Sequence, residues 1–373
     1  MRTFTNFKTA TIGTASCLAL LATALFSNTA MSSPTWAKDV PTLTIENFIG
    51  TIDVRTGDYD KITVTDADGA PVERRGANVM IDGGEPLNNT NCKKSNSSIK
   101  ISVGNWRWNK RKGGYKNLED YPHVTITAPE NTHLVIDHAI IFGDVGNIGS
   151  ADLRLRSCGD LEFADIGGKI DLSISGSGDV SLGTVGAGDI GIAGSGDFTA
   201  HDMDSLELSI AGSGDVRIAD ITGPVRASIA GSGDAGFGRV GGDLSFRSAG
   251  SGDLSVGNIG GNATLTTGGS GDMDIGRIDG DLVYTSGGSG DLDAEYVGGS
   301  KLSAKIGGSG SAEIDGGNVT DIYASVGGSG SIRYDGQTTN AELHANGSGS
   351  ITIREPSGRL RKEKHGSGSI RIR

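Results

Sequence analysis

Eight aspartates recur through the second half of the chain at an almost constant interval: Asp160, Asp179, Asp197, Asp215, Asp234, Asp253, Asp272 and Asp291. Most close a Gly-Ser-Gly-Asp tetrapeptide, and the same place is taken farther on by Ser311, Ser331, Ser350 and Ser369. A column of carboxylates invites a ladder of divalent cations, because Ca²⁺ prefers carboxylate and turn-carbonyl oxygens. The calcium-binding nonapeptide repeat, Gly-Gly-x-Gly-x-Asp-x-apolar-x, has a different frame. Here Gly287-Gly288-Ser289-Gly290-Asp291-Leu292 lacks the residue between the last Gly and Asp. Serine replaces aspartate without its charge, and both side chains bond readily to turn backbone. The expected role is therefore a corner, each Asp accepting N–H groups of its own turn, with no metal and no cofactor.

A second group could bind a ligand. Trp106, Arg107, Trp108, Lys110, Arg111, Lys112, Tyr115 and Lys116 form a basic, aromatic-laced patch on an acidic chain. Aromatic rings stack on sugar faces, while Arg and Lys pair with phosphate or carboxylate. Envelope polysaccharide or a surface protein is the partner such a patch suits. The competing reading is a solvated hairpin loop whose tryptophans cover the end of the fold. Cys92 and Cys158 are a candidate disulfide in an oxidising compartment. His201-Asp202-Met203-Asp204 is the one departure within the repeats that resembles a catalytic cluster, and it reads as a turn variant. The six histidines show no metal-ligand spacing, and no G-x-S-x-G or P-loop motif occurs.

The elements that position these residues follow from the interval itself. The twelve keyword residues from Asp160 to Ser369 are 18 to 20 residues apart, and a fixed period of this length marks a stacked repeat architecture. One and three residues after the keyword the chain is apolar, as at Leu254 and Val256. Six after it stands Ile259 or its equivalent, and nine and seven before it stand pairs such as Leu244 and Phe246. Each coil thus carries period-2 strands between glycine corners, such as Gly241-Gly242 and Gly260-Gly261. The prediction is an all-β protein, a parallel β-helix or solenoid of about 19 residues per coil with a right-handed turn. Antiparallel meanders would not return the same residue class to the same place every coil.

Before the repeats, Leu43, Ile45, Ile52, Val54, Ile62 and Val64 alternate with polar residues as short strands. Residues 83 to 98 are a polar, irregular insertion. At the other end Arg359, Arg361, Lys362, Lys364 and His365 replace expected strand residues and read as a polar cap. Residues 1–37 read as a secretory signal, with Arg2 and Lys8 ahead of an apolar stretch and a small-residue cleavage site. Residues 38–150 read as an N-terminal β region continuous with the solenoid, and residues 151–373 as the repeats. Loss of the signal removes the charges of Arg2 and Lys8 and takes the net charge from −12 to −14. An acidic exported chain is a poor nucleic-acid binder, and no membrane span is expected after the signal. Periplasm, cell surface or medium is the expected place.

The repeated Gly-Ser-Gly-Asp/Ser followed by apolar-x-apolar, led in by Val124-Thr125-Ile126-Thr127-Ala128-Pro129, resembles the head GIN domain of auto-transporter adhesins. Leu43-Thr44-Ile45-Glu46-Asn47 and Gly50-Thr51-Ile52-Asp53-Val54 resemble related adhesin-like solenoids. The resemblance covers most of the chain after the signal. It implies an exported, non-enzymatic adhesin or cell-envelope scaffold. The runner-up is a carbohydrate-active parallel β-helix, a polysaccharide lyase or hydrolase. No translocator barrel is expected from this sequence, a departure from the autotransporter pattern that puts self-secretion in doubt.

Overall fold

Apolar residues at every second position give strands, and paired glycines between them give corners. In one coil, Leu254–Ile259 is followed by Gly260-Gly261, the strand Ala263–Thr267 and the corner Gly268-Gly269-Ser270-Gly271. The next coil repeats this with Met273–Ile278 and Leu282–Ser286. The two coils pair in parallel, Leu254 on Met273, Val256 on Ile275, Ala263 on Leu282 and Leu265 on Tyr284. The computed structural model, which describes residues 40–84, 87, 90–95, 98–103 and 114–373, carries this stacking through about 13 coils of about 19 residues. The chain is thus an all-β parallel solenoid, and a single 3₁₀ turn at Leu118–Asp120 is the only helical piece among the described residues. The signal expected at residues 1–37 lies outside them.

The core is a set of columns, each coil placing like residues on like. In the central coils the five inward positions named from the periodicity are filled by buried residues, for example Leu254, Val256, Ile259, Leu244 and Phe246. Each such side chain contributes roughly 1.5–3 kcal/mol when buried. A sixth column lies five residues before the keyword: Ile192, Ile210, Ile229, then Ser248, Thr267, Ser286, then Ile306 and Val326. The three polar residues interrupt its apolar signal in the sequence. Beside them Tyr284 is fully buried, and its hydroxyl donates to the Gly290 carbonyl oxygen at 3.2 Å. Burial pushes that phenol up to about 12.

Chain order and spatial order part company at the N-terminal end. Thr42–Glu46 and Ile49–Gly57 pair with the long strand His133–Val145 on one side. On the other side they pair with Asn78–Asp82 and His123–Pro129, which therefore lie one layer farther out. Antiparallel strands Thr63–Asp66 and Val72–Arg75 border that outer layer. Its two parallel strands are separated in sequence by residues 83–122, so the insertion leaves and rejoins the solenoid at one level.

At the C-terminal end, Lys362 and Lys364 fall in inward columns, paired with Leu343 and Ala345, and both are exposed. Arg361 pairs with Glu342 and Glu363, and His344 lies between the same two carboxylates. Inward lysines disfavour stacking of an apolar coil upon this strand.

Candidate binding surface

The aspartate row forms a hydrogen-bonded ladder whose rungs are joined between coils. Oδ1 of Asp179 accepts the backbone N–H of Asp197, and the pattern continues through Asp215, Asp234, Asp253, Asp272 and Asp291 at 2.8–3.2 Å. Oδ1 of Asp291 accepts both the N–H and the hydroxyl of Ser311, at 2.7 and 2.9 Å. The bond expected within each turn is made instead to the next coil. The physical reason is the stacking direction: N–H groups of a parallel ladder point along the axis, and a short carboxylate on the coil below meets them. Where serine holds the rung below, the N–H reaches a glycine carbonyl, as from Ser350 to Gly330 and from Ser369 to Gly349. Aspartate and serine are two solutions for one backbone donor.

A parallel ladder on a second corner carries no repeated keyword. Oδ1 of Asp243 accepts the N–H of Asn262 at 2.7 Å, and Oδ1 of Asn262 accepts that of Asp281 at 2.9 Å. Asp281 accepts from Lys301 and Ser300, and these backbone donors hold its carboxyl below the usual aspartate range. Mixed Asp, Asn and Ser hid this column in the sequence.

The row has a built-in cation at its start. Lys94 Nζ lies 3.3 Å from Asp160 Oδ2 and 3.0 Å from Asp179 Oδ2, spanning two rungs on their outer oxygens. Asp179 and Asp160 hold this ammonium above the usual lysine range. Lys94 belongs to the insertion, whose strands Thr90–Ser95, Ser98–Val103 and Lys116–Asn117 form a separate antiparallel sheet. That sheet lies on the outside of the first coils.

Three further contacts fix it there. Cys92 and Cys158 are disulfide-bonded, with Cα atoms 6.1 Å apart. Cys158 stands where later coils have the Ser of Gly-Ser-Gly-Asp, as the alignment of Ser157-Cys158-Gly159-Asp160 with Gly176-Ser177-Gly178-Asp179 shows. Ser157 holds a positive φ of 63° there, and its hydroxyl lies 2.7 Å from that of Thr90. Beneath the sheet Ile49, Ile140, Phe142 and Cys158 join Leu87, Ile101 and Tyr121 in a small apolar cluster of their own. Phe142 pairs with Asp160 and so occupies the aspartate column one coil earlier. The corner turns apolar where the insertion covers it. The run Ala139-Ile140-Ile141-Phe142 signals this in the sequence, since unbroken apolar residues in a strand mean burial on both faces.

Of the predicted patch, Trp106, Arg107, Trp108, Lys110, Arg111 and Lys112 lie outside the described residues. Tyr115 is exposed, with Lys93 Nζ 4.5 Å from its ring centre, and Lys116 Nζ lies 5.5 Å from that of Tyr121. Cation over ring is the geometry that aromatic-basic composition allows.

Two arrangements resemble catalytic clusters. Ser150 Oγ lies 2.8 Å from His133 Nδ1, and Asp152 Oδ2 lies 3.6 Å from Nε2. The second distance exceeds a hydrogen bond, and the imidazole is almost wholly buried. In His201-Asp202-Met203-Asp204, Met203 fills the core column after the corner while His201 pairs with Asp202 at 3.1 Å. This is a coil in its ordinary frame.

A family model described as "Putative auto-transporter adhesin, head GIN domain" matches residues 58–239 and 247–373. Comparison with curated proteins and with solved structures found no match.

Proposed function

The chain belongs to the family of auto-transporter adhesin head GIN domains, and from that premise we propose that it is an exported, non-enzymatic adhesin or envelope scaffold. It holds a contact segment on the side of a rigid rod at the cell surface or in the periplasm. The observation that carries this reading is the anchoring of the insertion. A disulfide, an apolar cluster and the Lys94 bridge attach to the rod the sheet from which Trp106 to Lys116 extend in sequence. A loop positioned by a rigid scaffold is the common form of a binding site. Arg107, Lys110, Arg111 and Lys112 would pair with the anionic groups of an envelope polysaccharide, and Trp106 and Trp108 would stack on its sugars.

The test is retention of residues 38–373 on immobilised anionic glycans. Replacing Arg107, Lys110, Arg111 and Lys112 by Ser is expected to abolish retention while leaving the thermal melt in place. Retention equal to that of the unaltered chain would sink the assignment of the contact to this loop.

A further inference from the structure

A trough runs along a different face of the solenoid, away from both the aspartate row and the insertion. It has a volume of about 620 Å³, within the range of ligand sites. Its walls come from the pleat: residues two apart on a strand both point outward and flank the inward residue between them. Stacking then draws each pair into two parallel ridges. Ala187, Ser205 and Pro224 are short on one side, facing Asp189, Glu207 and Arg226 on the other. Farther along, Asp243 and Asn262 stand opposite Ser245 and Thr264. From Lys169 to Asn262 the trough crosses five coil spacings, or about 24 Å.

We propose that this trough binds a linear, uncharged, polyhydroxylated chain, a neutral β-linked glycan, laid along the solenoid axis. The inference rests on the adhesin reading above for the kind of polymer the protein meets, but uses none of the residues of that contact loop. Three observations select the ligand. The lining mixes Asp189, Glu207 and Asp243 with Lys169 and Arg226, so a polyanion and a polycation each meet like charge. Glu207 and Arg226 are register partners on adjacent coils. Neither takes part in an ion pair or side-chain hydrogen bond among the described residues. A carboxylate acceptor beside a guanidinium donor suits neighbouring hydroxyls of one sugar. Finally, the strand backbone under the trough is already paired between coils, as Leu206 with Val225 and Val225 with Leu244. An extended peptide would therefore find no free edge to extend. The spacing of about 4.8 Å between coils is close to the rise of one sugar in an extended β-linked chain, so each unit meets a new pair of walls. Asp243 and Asn262 are held by their own ladder bonds, which fixes that wall before a ligand arrives.

Isothermal titration of residues 38–373 with cellohexaose and laminarihexaose tests the proposal, with oligogalacturonate as the charged comparison. At least one neutral hexasaccharide is expected to bind. Glu207→Ala with Arg226→Ala should weaken it at least about tenfold, the loss of one charge-assisted hydrogen bond or more. Ser205→Arg, which fills the trough from the opposite wall and spares Glu207 and Arg226, should cause a similar loss. Circular dichroism melts of both variants should match the parent, since all three positions face outward. Failure of the unaltered chain to bind either neutral sugar overturns the proposal, as does undiminished binding by a folded Ser205→Arg variant. Retention on anionic glycans through the loop is measured separately, so the adhesin reading stands or falls on its own result.

Discussion

The repeat body and the insertion on its side are both β-sheet, yet they are held by different means. In the body every coil supplies the same columns to the next, and stability is shared among neighbours as in any solenoid. Its strands are parallel and its corners are closed by side-chain ladders running along the axis. The insertion is antiparallel and, among the described residues, meets the body through an apolar cluster, a disulfide and a few polar contacts that no other coil repeats. It depends on a disulfide, seven buried residues and one lysine shared by two aspartates. Repetition allows a rod to be built from small, weakly informative residues. A unique attachment needs specific chemistry.

The sharpest way to break the comparison is to disturb a corner of the body. A Cβ at Gly269 would overlap the Gly250 carbonyl oxygen of the coil below. Gly269→Ala should therefore cost more than about 4 kcal/mol, seen as loss of the cooperative denaturant transition of the whole rod. If the change stays local, the coils are less coupled than their shared columns imply.

Removal of the bond between Cys92 and Cys158, by Cys92→Ser with Cys158→Ser, tests the other side. The bond spans 66 residues, for which loop-closure entropy gives about 4 kcal/mol. That loss should fall on the insertion. Limited proteolysis is expected to cut within residues 85–120 while the repeats keep their melting temperature. Cleavage spread evenly over the repeats would show that the insertion braces the rod.

Alkali should act mainly on the body, since on the insertion it discharges only the exposed Lys94 pair. Tyr284 and Tyr334 are each pushed by burial up to about 12 from the ordinary 10.0. Unfolded, the phenols release their protons near 10, so their stabilisation is complete below that pH and is lost as pH rises toward 12. The loss is on the order of 2–3 kcal/mol for each phenol. Chemical denaturation between pH 9 and pH 12 should show this fall, and Tyr284→Phe should remove part of it. An unchanged slope in that variant would place the alkaline transition elsewhere.

The smallest effects lie on the aspartate row. Asp253→Leu leaves the N–H of Asp272 without its carboxylate and should cost about 1 kcal/mol. Asp253→Ser should cost less, because in the serine coils the N–H reaches a glycine carbonyl instead. Lys94→Ala removes an exposed ion pair worth between about 0 and 1 kcal/mol, and its effect should fade in high salt. A larger effect of Lys94 than of Asp253 would mean that the insertion holds the row in place.

Much of the fold was legible because a column demands the same residue class in every coil. Leu254, Val256 and Ile259 could be assigned to the inside from spacing alone, and so could their equivalents along the chain. The column through Ser248, Thr267 and Ser286 was hidden because a narrow interior accepts small hydroxyl residues that read as surface. The insertion's seat was half legible. The run Ala139 to Phe142 announces burial on both faces, but nothing in the sequence names the segment that covers it. The trough walls were illegible, since Glu207 and Arg226 are ordinary outward residues until stacking sets them side by side.

The sequence by itself determined the period, the inward positions, the glycine corners and hence the stacked parallel solenoid, because these depend on residue class repeated at a fixed interval. Only the tertiary structure decided where each aspartate bonds, which coil the insertion clasps, and that Asn78–Asp82 and His123–Pro129 lie outside Thr42–Gly57. These depend on the direction of N–H groups along the axis and on contacts between segments far apart in the chain. No local pattern encodes either.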